Sequence, residues 1–149
     1  MTVEELNSVF VIKSKIEVER QKLETLKLCS ESVKPIELSG LPKAKSLTST
    51  TERFATEILS TEQKIIELQN QLVEVAATLA QKLVDALKEQ NSLWLSVMIR
   101  RFCACMTFGE IGKSLSFTSN YIAKLTNSAA RYVTNGAWRP TRRRQGSGR

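Results

Sequence analysis

Histidine is absent from this sequence of 149 residues, and aspartate occurs only once, at Asp85. The absence of histidine removes the most common general base and a frequent zinc ligand. The sequence also has no glycine-rich phosphate loop, no nucleophile elbow and no Asp-x-Asp cluster. These absences predict a protein that is not an enzyme and that uses neither a cofactor nor a small-molecule substrate.

Glycine and proline are scarce, with six and three residues respectively, which favours an elongated helical protein over a turn-rich β fold. Long hydrophobic runs are missing as well. The most apolar stretch, residues 72–87, is interrupted by Glu74, Gln81, Lys82 and Asp85, and it falls short of the roughly 20 apolar residues that span a bilayer. Because residues 1–5 lack the basic region of a signal peptide, we expect a cytoplasmic protein with no membrane partner.

Cysteine occurs three times, at Cys29, Cys103 and Cys105. An odd number without a secretion signal predicts reduced thiols. A four-ligand zinc site at Cys103 and Cys105 would need acidic ligands or a second chain. We therefore predict buried helix cysteines and no metal. The neighbouring Arg100 and Arg101 favour a lowered pKa for the Cys103 thiol.

Acidic residues are almost missing from the last two-fifths of the chain. Residues 91–149 contain ten Lys and Arg against one acid, Glu110, whereas residues 1–90 contain twelve against fourteen. The first segment therefore carries a net charge of −2 and the second +9, within the total of +7. Such an asymmetry predicts a neutral scaffold that carries a nucleic-acid-facing or membrane-facing end.

Two long helices are predicted in residues 1–90, on either side of a linker at about residues 33–48 that contains Pro35, Gly40 and Pro42. The first covers residues 3–32, and the second begins at a capping box, Ser49-Thr50-Thr51-Glu52, and continues to Gln90. Each carries an apolar seam with steps of three and four. The seams are Val9, Ile12, Ile16, Leu23 and Leu26, with Glu19 in the missing position, and then Phe54, Ile58, Thr61, Ile65, Leu68, Leu72, Val75 and Leu79.

Such narrow seams gain little in water unless a partner covers them. We therefore predict that residues 1–90 form a long antiparallel, coiled-coil-like hairpin. Pairing of the seams between chains is the alternative.

A small three-helix unit is predicted in residues 91–135. Ser92 can cap a helix from Leu93 to about Cys103, and the capping box Thr107–Glu110 opens a short one. After a break at Ser116-Phe117, Thr118 can cap a last helix that reaches about Val133. Its apolar face would consist of Ile122, Leu125, Ala129 and Tyr132. Two short helices joined by a three-to-four-residue turn form a helix-turn-helix, in which the second is the recognition helix.

The segment Thr107–Thr118, followed by Ile122, Leu125 and Ala129, resembles the helix-turn-helix of region 4 of bacterial sigma factors. The match has no gaps over about thirty residues from Arg101-Phe102 onward. A helical N-terminal hairpin followed by this unit is similar to small regulators encoded by phages and prophages, which resemble late-gene activators. The resemblance implies an all-α DNA-binding regulator in a bacterial host cytoplasm. It also implies that the hairpin contacts RNA polymerase. The alternative expectation is that the hairpin associates with a second copy of itself.

The chain departs from the family pattern at several positions. The family usually has glycine where Cys105 and Ser116 stand, and alanine at Gly112. It also tends to have several Arg or Glu at the start of the recognition helix, where this chain has Ser119, Asn120 and Tyr121. These differences predict a DNA preference other than the promoter element of sigma factors.

Candidate DNA contacts lie on and around the last helix. The spacing of Asn120, Lys124, Asn127 and Arg131 places them on one face, where amide and basic groups can contact bases or phosphates. Thr118, Ser119 and Tyr121 lie at the start of that helix, and Arg100 and Arg101 are candidates for phosphate anchoring. The alternatives are a solvated helix face and, for the arginine pair, an ion pair with Glu110 or packing over Phe102.

Residues 136–149 are predicted to form a disordered basic tail because they are polar and rich in glycine and arginine. Nonspecific phosphate contacts are expected from Arg139, Arg142, Arg143 and Arg144.

The combined prediction is a sequence-preferring transcriptional regulator that binds double-stranded DNA. Two other classes remain open. One is an oligomeric packaging adaptor such as a small terminase-like subunit, and the other is an interaction module whose basic end binds an acidic protein.

Overall fold

Five α-helices account for most of the residues that the structure describes. The computed structural model describes residues 1–32 and 44–140, with side chains from Thr50 onward in the second range. The helices are α1 (Val3–Ser32), α2 (Ala44–Leu87), α3 (Ser92–Met98), α4 (Phe108–Leu115) and α5 (Ser119–Val133). Within these two ranges the protein is all-helical, without a strand, and no helix combines the length and apolarity that a membrane span requires.

The bounds of α1 are those predicted, but α2 begins earlier than the sequence indicated. Residues 44–48, which were assigned to the linker, are helical, so Ser49 lies inside α2 rather than at its start. The prediction of a cap at Ser49 is therefore wrong. The rest of the predicted linker, residues 33–43, lies outside the described residues. At its other end α2 stops at Leu87, and residues 88–90 form a turn.

The chain divides into two units, one formed by residues 11–73 and the other by residues 1–10 together with 74–149. This division differs from the predicted boundary at residue 90. In the unit of residues 11–73, the predicted seam positions are the least exposed on both helices, with Ile16, Thr61 and Ile65 buried. Burial of alternating three- and four-spaced residues stabilises an amphipathic helix that would be marginal alone.

Two ion pairs join α1 to α2 within this unit. Glu19 Oε1 lies 3.1 Å from Lys64 Nζ, and Lys27 Nζ lies 3.8 Å from Glu62 Oε1. The carboxylate of Glu19 is mostly buried, and its second oxygen, Oε2, is buried without a hydrogen-bond partner. Glu19 therefore occupies the gap in the α1 seam, as its spacing predicted.

In the other unit, the start of α1 and the end of α2 bury aliphatic side chains, and Lys82 Nζ donates to Glu5 Oε1 at 2.8 Å. This ion pair is solvent-exposed, and the lysine holds the pKa of the Glu5 carboxyl below its ordinary value. The buried residues are Leu6, Val9, Leu79, Leu83 and Leu87.

Helix α3 is capped by Asn91, whereas the sequence predicted Ser92 as the cap. The Asn91 side chain accepts a hydrogen bond from the Leu93 amide at 2.9 Å, because the backbone of Asn91 is extended and brings its carbonyl oxygen over the free amides. After Met98 the helix continues as a π-helical stretch, Ile99–Cys103. The predicted extent to Cys103 is thus correct, although the last turns are wider than those of an α-helix.

Helices α4 and α5 begin at the predicted caps. Thr107 and Glu110 form a reciprocal capping box at α4, and Thr118 Oγ1 accepts from the Tyr121 amide at α5. Between the helices, Ser116 adopts a left-handed conformation with a φ of 61°, and the Phe117 amide donates to the Gly112 carbonyl at 2.8 Å. The turn therefore folds directly back onto Gly112.

Helices α3, α4 and α5 pack around Val97, Ile111 and Ile122, one residue from each helix. Five partly buried side chains surround them: Leu93, Met106, Phe108, Leu115 and Leu125. The prediction that Tyr132 faces this interior is wrong, since 45% of its surface is exposed. The inward positions toward the end of α5 are instead Thr126, Ala129, Ala130 and Val133.

Candidate nucleic-acid interface

The first turn of α5 presents polar side chains to solvent. Thr118 caps the helix through its hydroxyl, at 3.3 Å from the Tyr121 nitrogen, and remains exposed. Ser119 and Asn120 follow it and are also exposed. A helix start of this kind offers hydroxyl and amide groups together with free backbone amides, which suit phosphate oxygens and base edges.

Further along α5, Lys124 and Arg131 are exposed on the face that the sequence predicted. Asn127 lies between them but is only half-exposed. Its Oδ1 accepts a hydrogen bond from the indole Nε1 of Trp138 at 3.2 Å. One acceptor of Asn127 is therefore engaged within the chain, so this residue differs from Asn120, the other amide of the face.

An exposed aromatic pair stands beside the start of α5. The ring centres of Phe117 and Tyr121 lie 5.0 Å apart, with an angle of 45° between the ring planes. The exposed fraction is 41% for Phe117 and 43% for Tyr121. Tyr121 was predicted as a site residue, whereas Phe117 was assigned only to the break between helices. Apolar ring surface at this place can contact the methyl group of thymine in the major groove.

Arg100 is held between two hydroxyl groups. Its Nε donates to Ser96 Oγ at 3.3 Å, and its Nη1 donates to Ser114 Oγ of α4 at 3.0 Å. These bonds orient the guanidinium beside α4 and leave it partly exposed. Phosphate anchoring by Arg100 stays a prediction that this position allows.

Arg101 lies between two aromatic rings. Its guanidinium carbon is 4.5 Å from the ring centre of Phe108 and 5.1 Å from that of Phe10, and its Nη1 donates to the Met106 carbonyl at 2.9 Å. Burial lowers the pKa of Arg101. Cation–π stacking of this kind is strongest when the cation is desolvated. Arg101 therefore has a packing role, with rings other than the Phe102 ring that the sequence suggested, and its predicted phosphate contact stays a prediction.

The first residues of the predicted tail are packed against the helices. The Trp138 ring meets that of Phe102 edge-on, with centres 5.5 Å apart and planes at 89°. Its backbone amide donates to Thr134 Oγ1 at 3.0 Å, and Arg139 Nη1 donates back to the Gly136 and Trp138 carbonyls. Residues 137–140 are thus anchored through Trp138, whereas Arg142, Arg143 and Arg144 lie outside the described residues.

The prediction of buried helix cysteines is wrong, because Cys29 is exposed, Cys103 and Cys105 are only partly buried, and Cys105 lies outside the helices. Burial, followed by the nearby Cys105, raises the pKa of the Cys103 thiol to about 11, so the predicted lowering by the arginines is wrong. Desolvation of the thiolate outweighs attraction to the arginines, since Arg101 directs its guanidinium to the aromatic rings. In the described ranges, no group of three or more potential ligand residues is assembled around a metal position.

Cations outnumber acids around α3, α4 and α5. Among the described residues from Asn91 onward the cations are Arg100, Arg101, Lys113, Lys124, Arg131 and Arg139, and the acid is Glu110. The carboxylate of Glu110 accepts a hydrogen bond from the Thr107 amide in the capping box. This surface can bind a polyanion electrostatically, and the start of α5 adds groups that can distinguish bases.

No family model matches the chain, and comparisons with curated proteins and with solved structures find no significant match.

Proposed function

We propose that this protein is a sequence-preferring DNA-binding transcriptional regulator of phage or prophage origin, with α4 and α5 as a sigma-region-4-like helix-turn-helix. In this proposal α5 is the recognition helix. Ser119, Asn120 and Lys124 meet base edges in the major groove, while Arg100 and Arg131 contact phosphates. The protein performs no catalysis and acts by binding.

The observation that carries the proposal concerns the two positions at which the family usually has glycine. Cys105 has a φ of 55° and Ser116 a φ of 61°, and both values lie in the left-handed region that glycine adopts without steric cost. The backbone thus bends in this way at both family glycines, although the residues themselves differ. This agreement supports the resemblance independently of apolar spacing, which any amphipathic helix pair can provide.

Exposure and charge give further support. Six of the predicted contact residues at and along α5 are exposed, and the surrounding segment has almost no acid. The exposed residues are Thr118, Ser119, Asn120, Tyr121, Lys124 and Arg131. A face that was polar only because it meets water would not require such an excess of cations.

For the N-terminal residues we propose an antiparallel hairpin of α1 and α2 that contacts RNA polymerase or a second copy of the chain. The ion pairs support the antiparallel direction. Glu19 pairs with Lys64, and Lys27, further along α1, pairs with Glu62, which lies earlier on α2. The residue numbers thus rise on one helix while they decrease on the other. The contact with polymerase is implied by the sigma-factor resemblance.

The experiment is a pair of gel shifts with the full chain. Binding to a random duplex at about 50 mM and about 200 mM salt tests the electrostatic contribution, which should weaken steeply at the higher salt. A duplex selected from a random pool by the protein itself then supplies a preferred site. We expect Lys124→Ala to weaken binding to the selected site about tenfold and binding to random duplex much less.

Lys88→Ala is the matched control, because Lys88 is an exposed lysine outside α3, α4 and α5. It should leave both affinities nearly unchanged. Equal losses on both duplexes for Lys124→Ala would reduce Lys124 to a phosphate contact. Failure of the wild-type protein to bind random duplex at low salt would remove the DNA-binding proposal altogether.

A further inference from the structure

Helix α2 carries a second apolar stripe in addition to its buried seam. Leu59, Ile66 and Val73 repeat at intervals of seven residues and remain 66%, 56% and 69% exposed. Each directly follows a residue of the seam, so the stripe is rotated by about 100° around the helix from the face that is covered. We call these three residues the outer stripe.

Large aliphatic side chains that are more than half exposed are individually common on protein surfaces. A strict seven-residue repeat is different, because it keeps the side chains aligned along a helix that packs against another helix. The covered seam of α2 obeys the same rule with its three- and four-residue steps. The outer stripe therefore has the spacing of a helix–helix contact without a partner in the described part of the chain.

The positions three and four residues from Ile66, which flank the middle of the outer stripe on the helix surface, are mostly uncharged. Gln63, Gln69 and Asn70 are exposed amides, and the fourth position, Glu62, has its charge offset by Lys27 at 3.8 Å. Lys64 and Glu67 also lie between the members of the stripe, but they are rotated by about 100° or more around the helix from Ile66. The four flanking positions therefore offer no cation to DNA and little charge to a highly charged protein surface.

We propose that the outer stripe is the interface through which two copies of this chain form a dimer, α2 against α2. An apolar stripe bordered by amides is complementary to itself, because each amide offers both donors and acceptors to its counterpart in the other copy. A two-fold contact brings the same patch of each copy together. With a two-fold axis at Ile66, the middle member, antiparallel helices pair Ile66 with Ile66 and Leu59 with Val73.

The size of the stripe sets the expected strength of the contact. Three partly exposed aliphatic side chains make a narrow interface, in the class below about 1,200 Å² of total buried surface that dissociates readily. The dimer should therefore form in the micromolar range and separate on dilution. This inference goes beyond DNA binding, and two basic units in one particle would raise the apparent affinity for DNA through their combined attachment.

Sedimentation velocity of the full chain from about 1 μM to about 200 μM measures this equilibrium directly. The wild-type protein should shift from monomer to dimer as concentration rises. Ile66→Gln should weaken dimerisation at least about tenfold, because it places an uncharged polar group at the centre of the contact and keeps a good helix former. Leu59→Gln provides a second variant, and far-UV circular dichroism verifies the helical content of each.

Val18→Gln is the matched control, since Val18 lies on α1 and is exposed to a similar extent, 62%. It should leave the dimer intact. A monomer at every concentration overturns the inference, as does a loss of dimer in Val18→Gln equal to that in Ile66→Gln. A closed ring of many subunits overturns it as well and favours the packaging adaptor. DNA binding is measured separately by gel shift, so its failure is distinguishable from failure of the dimer.

Discussion

The indole Nε1 of Trp138 donates a hydrogen bond to Oδ1 of Asn127, with the two atoms 3.2 Å apart. The bond ties the segment after α5 to the middle of that helix, while the Trp138 ring packs on Phe102. Arg139, the residue that follows Trp138, is exposed.

Replacing Trp138 tests how much this anchor stabilises the fold. Trp138→Ala removes a half-buried aromatic ring and the indole hydrogen bond to Asn127, so we expect the free energy of unfolding to fall by about 2 kcal/mol. Trp138→Phe keeps a ring against Phe102 and should cost only about 1 kcal/mol, the contribution of the lost hydrogen bond. Urea unfolding followed by circular dichroism measures both. Equal stability of Trp138→Ala and the wild type would show that the Trp138 side chain does not stabilise the fold.

The two glycines of α4 should respond in opposite ways to alanine. A Cβ at Gly112 would lie 2.5 Å from the Phe117 carbonyl oxygen, a backbone atom of a residue whose amide is hydrogen-bonded to the Gly112 carbonyl. Gly112→Ala should therefore destabilise the protein by about 1–3 kcal/mol. At Gly109 the nearest atom to a new Cβ is 4.0 Å away, so Gly109→Ala should stabilise it by roughly 0.5 kcal/mol. Thermal unfolding of the Gly112→Ala and Gly109→Ala variants, compared with the wild type, measures both effects. A Gly112→Ala variant as stable as wild type would mean that the turn can move without cost.

Cys103 should behave as an unreactive thiol. With its pKa raised from 9.0 to about 11, its thiolate population near pH 8 is about 100-fold lower than that of an ordinary cysteine. We expect alkylation by iodoacetamide to be slower by about that factor at Cys103 than in the unfolded chain, as measured by mass spectrometry of its peptide over time. The exposed Cys29 serves as internal control within the same sample. Comparable rates at the two cysteines would contradict the burial of Cys103.

The same shift has a consequence for stability in alkaline solution. The unfolded chain loses the Cys103 proton at a lower pH than the folded chain does. The contribution of this group to stability is thus fully present below about pH 9 and declines as the pH rises toward 11.

The aromatic pair at the start of α5 leads to a prediction about thymine. If Phe117 and Tyr121 contact thymine methyl groups, then replacing thymine by uracil in the selected duplex removes the methyl and leaves the base pairing unchanged. We expect wild-type affinity to fall about fivefold on the uracil duplex, equivalent to about 1 kcal/mol. Phe117→Ser and Tyr121→Ser should bind both duplexes alike.

Tyr132→Ser is the control for this measurement, because Tyr132 is as exposed as Tyr121 but lies at the other end of α5. It should retain the preference for thymine. Wild-type protein that binds the two duplexes equally well would exclude a methyl contact by the pair, while leaving DNA binding itself untouched.

Local sequence signals predicted much of the fold. The capping residues Thr107 and Thr118 mark the starts of α4 and α5 because a side-chain oxygen near free helix amides acts within one turn of chain. The same signal gave the wrong start for α2. The motif Ser49-x-x-Glu52 can cap a helix, but it can also stand inside one, and helix-compatible residues precede it back to Ala44.

The interior face of α5 depended on packing that spacing alone does not specify. Tyr132 lies three residues after Ala129 and could share its face, but the helix buries Ala130 and Val133 instead, and Tyr132 contacts Trp94 at the surface with ring centres 6.0 Å apart. The small side chains of Ala129 and Ala130 allow either face to approach its neighbours. Which one does so is decided by the other helices.

At the candidate site, the exposed positions could be predicted from helical periodicity, whereas the contacts between distant residues could not. The bond from Trp138 to Asn127 and the placement of Arg101 between Phe10 and Phe108 join parts of the sequence that carry no mutual signal. Phe117 was overlooked because a residue before a helix cap is usually assigned to packing. Its exposure is visible only in three dimensions.

The stacking of Arg101 on Phe10 has a practical consequence for anyone who wishes to isolate the basic region. Phe10 also meets Phe102 edge-on at 5.9 Å, so the N-terminal decapeptide supplies an aromatic wall to the helices near the other end of the chain. A fragment that begins at residue 91 would lack Phe10, so the Arg101 guanidinium and the Phe102 ring would become more exposed to solvent. The compact unit that contains these helices is therefore discontinuous in sequence, and a fragment meant to reproduce it needs residues 1–10 as well as residues from 74 onward.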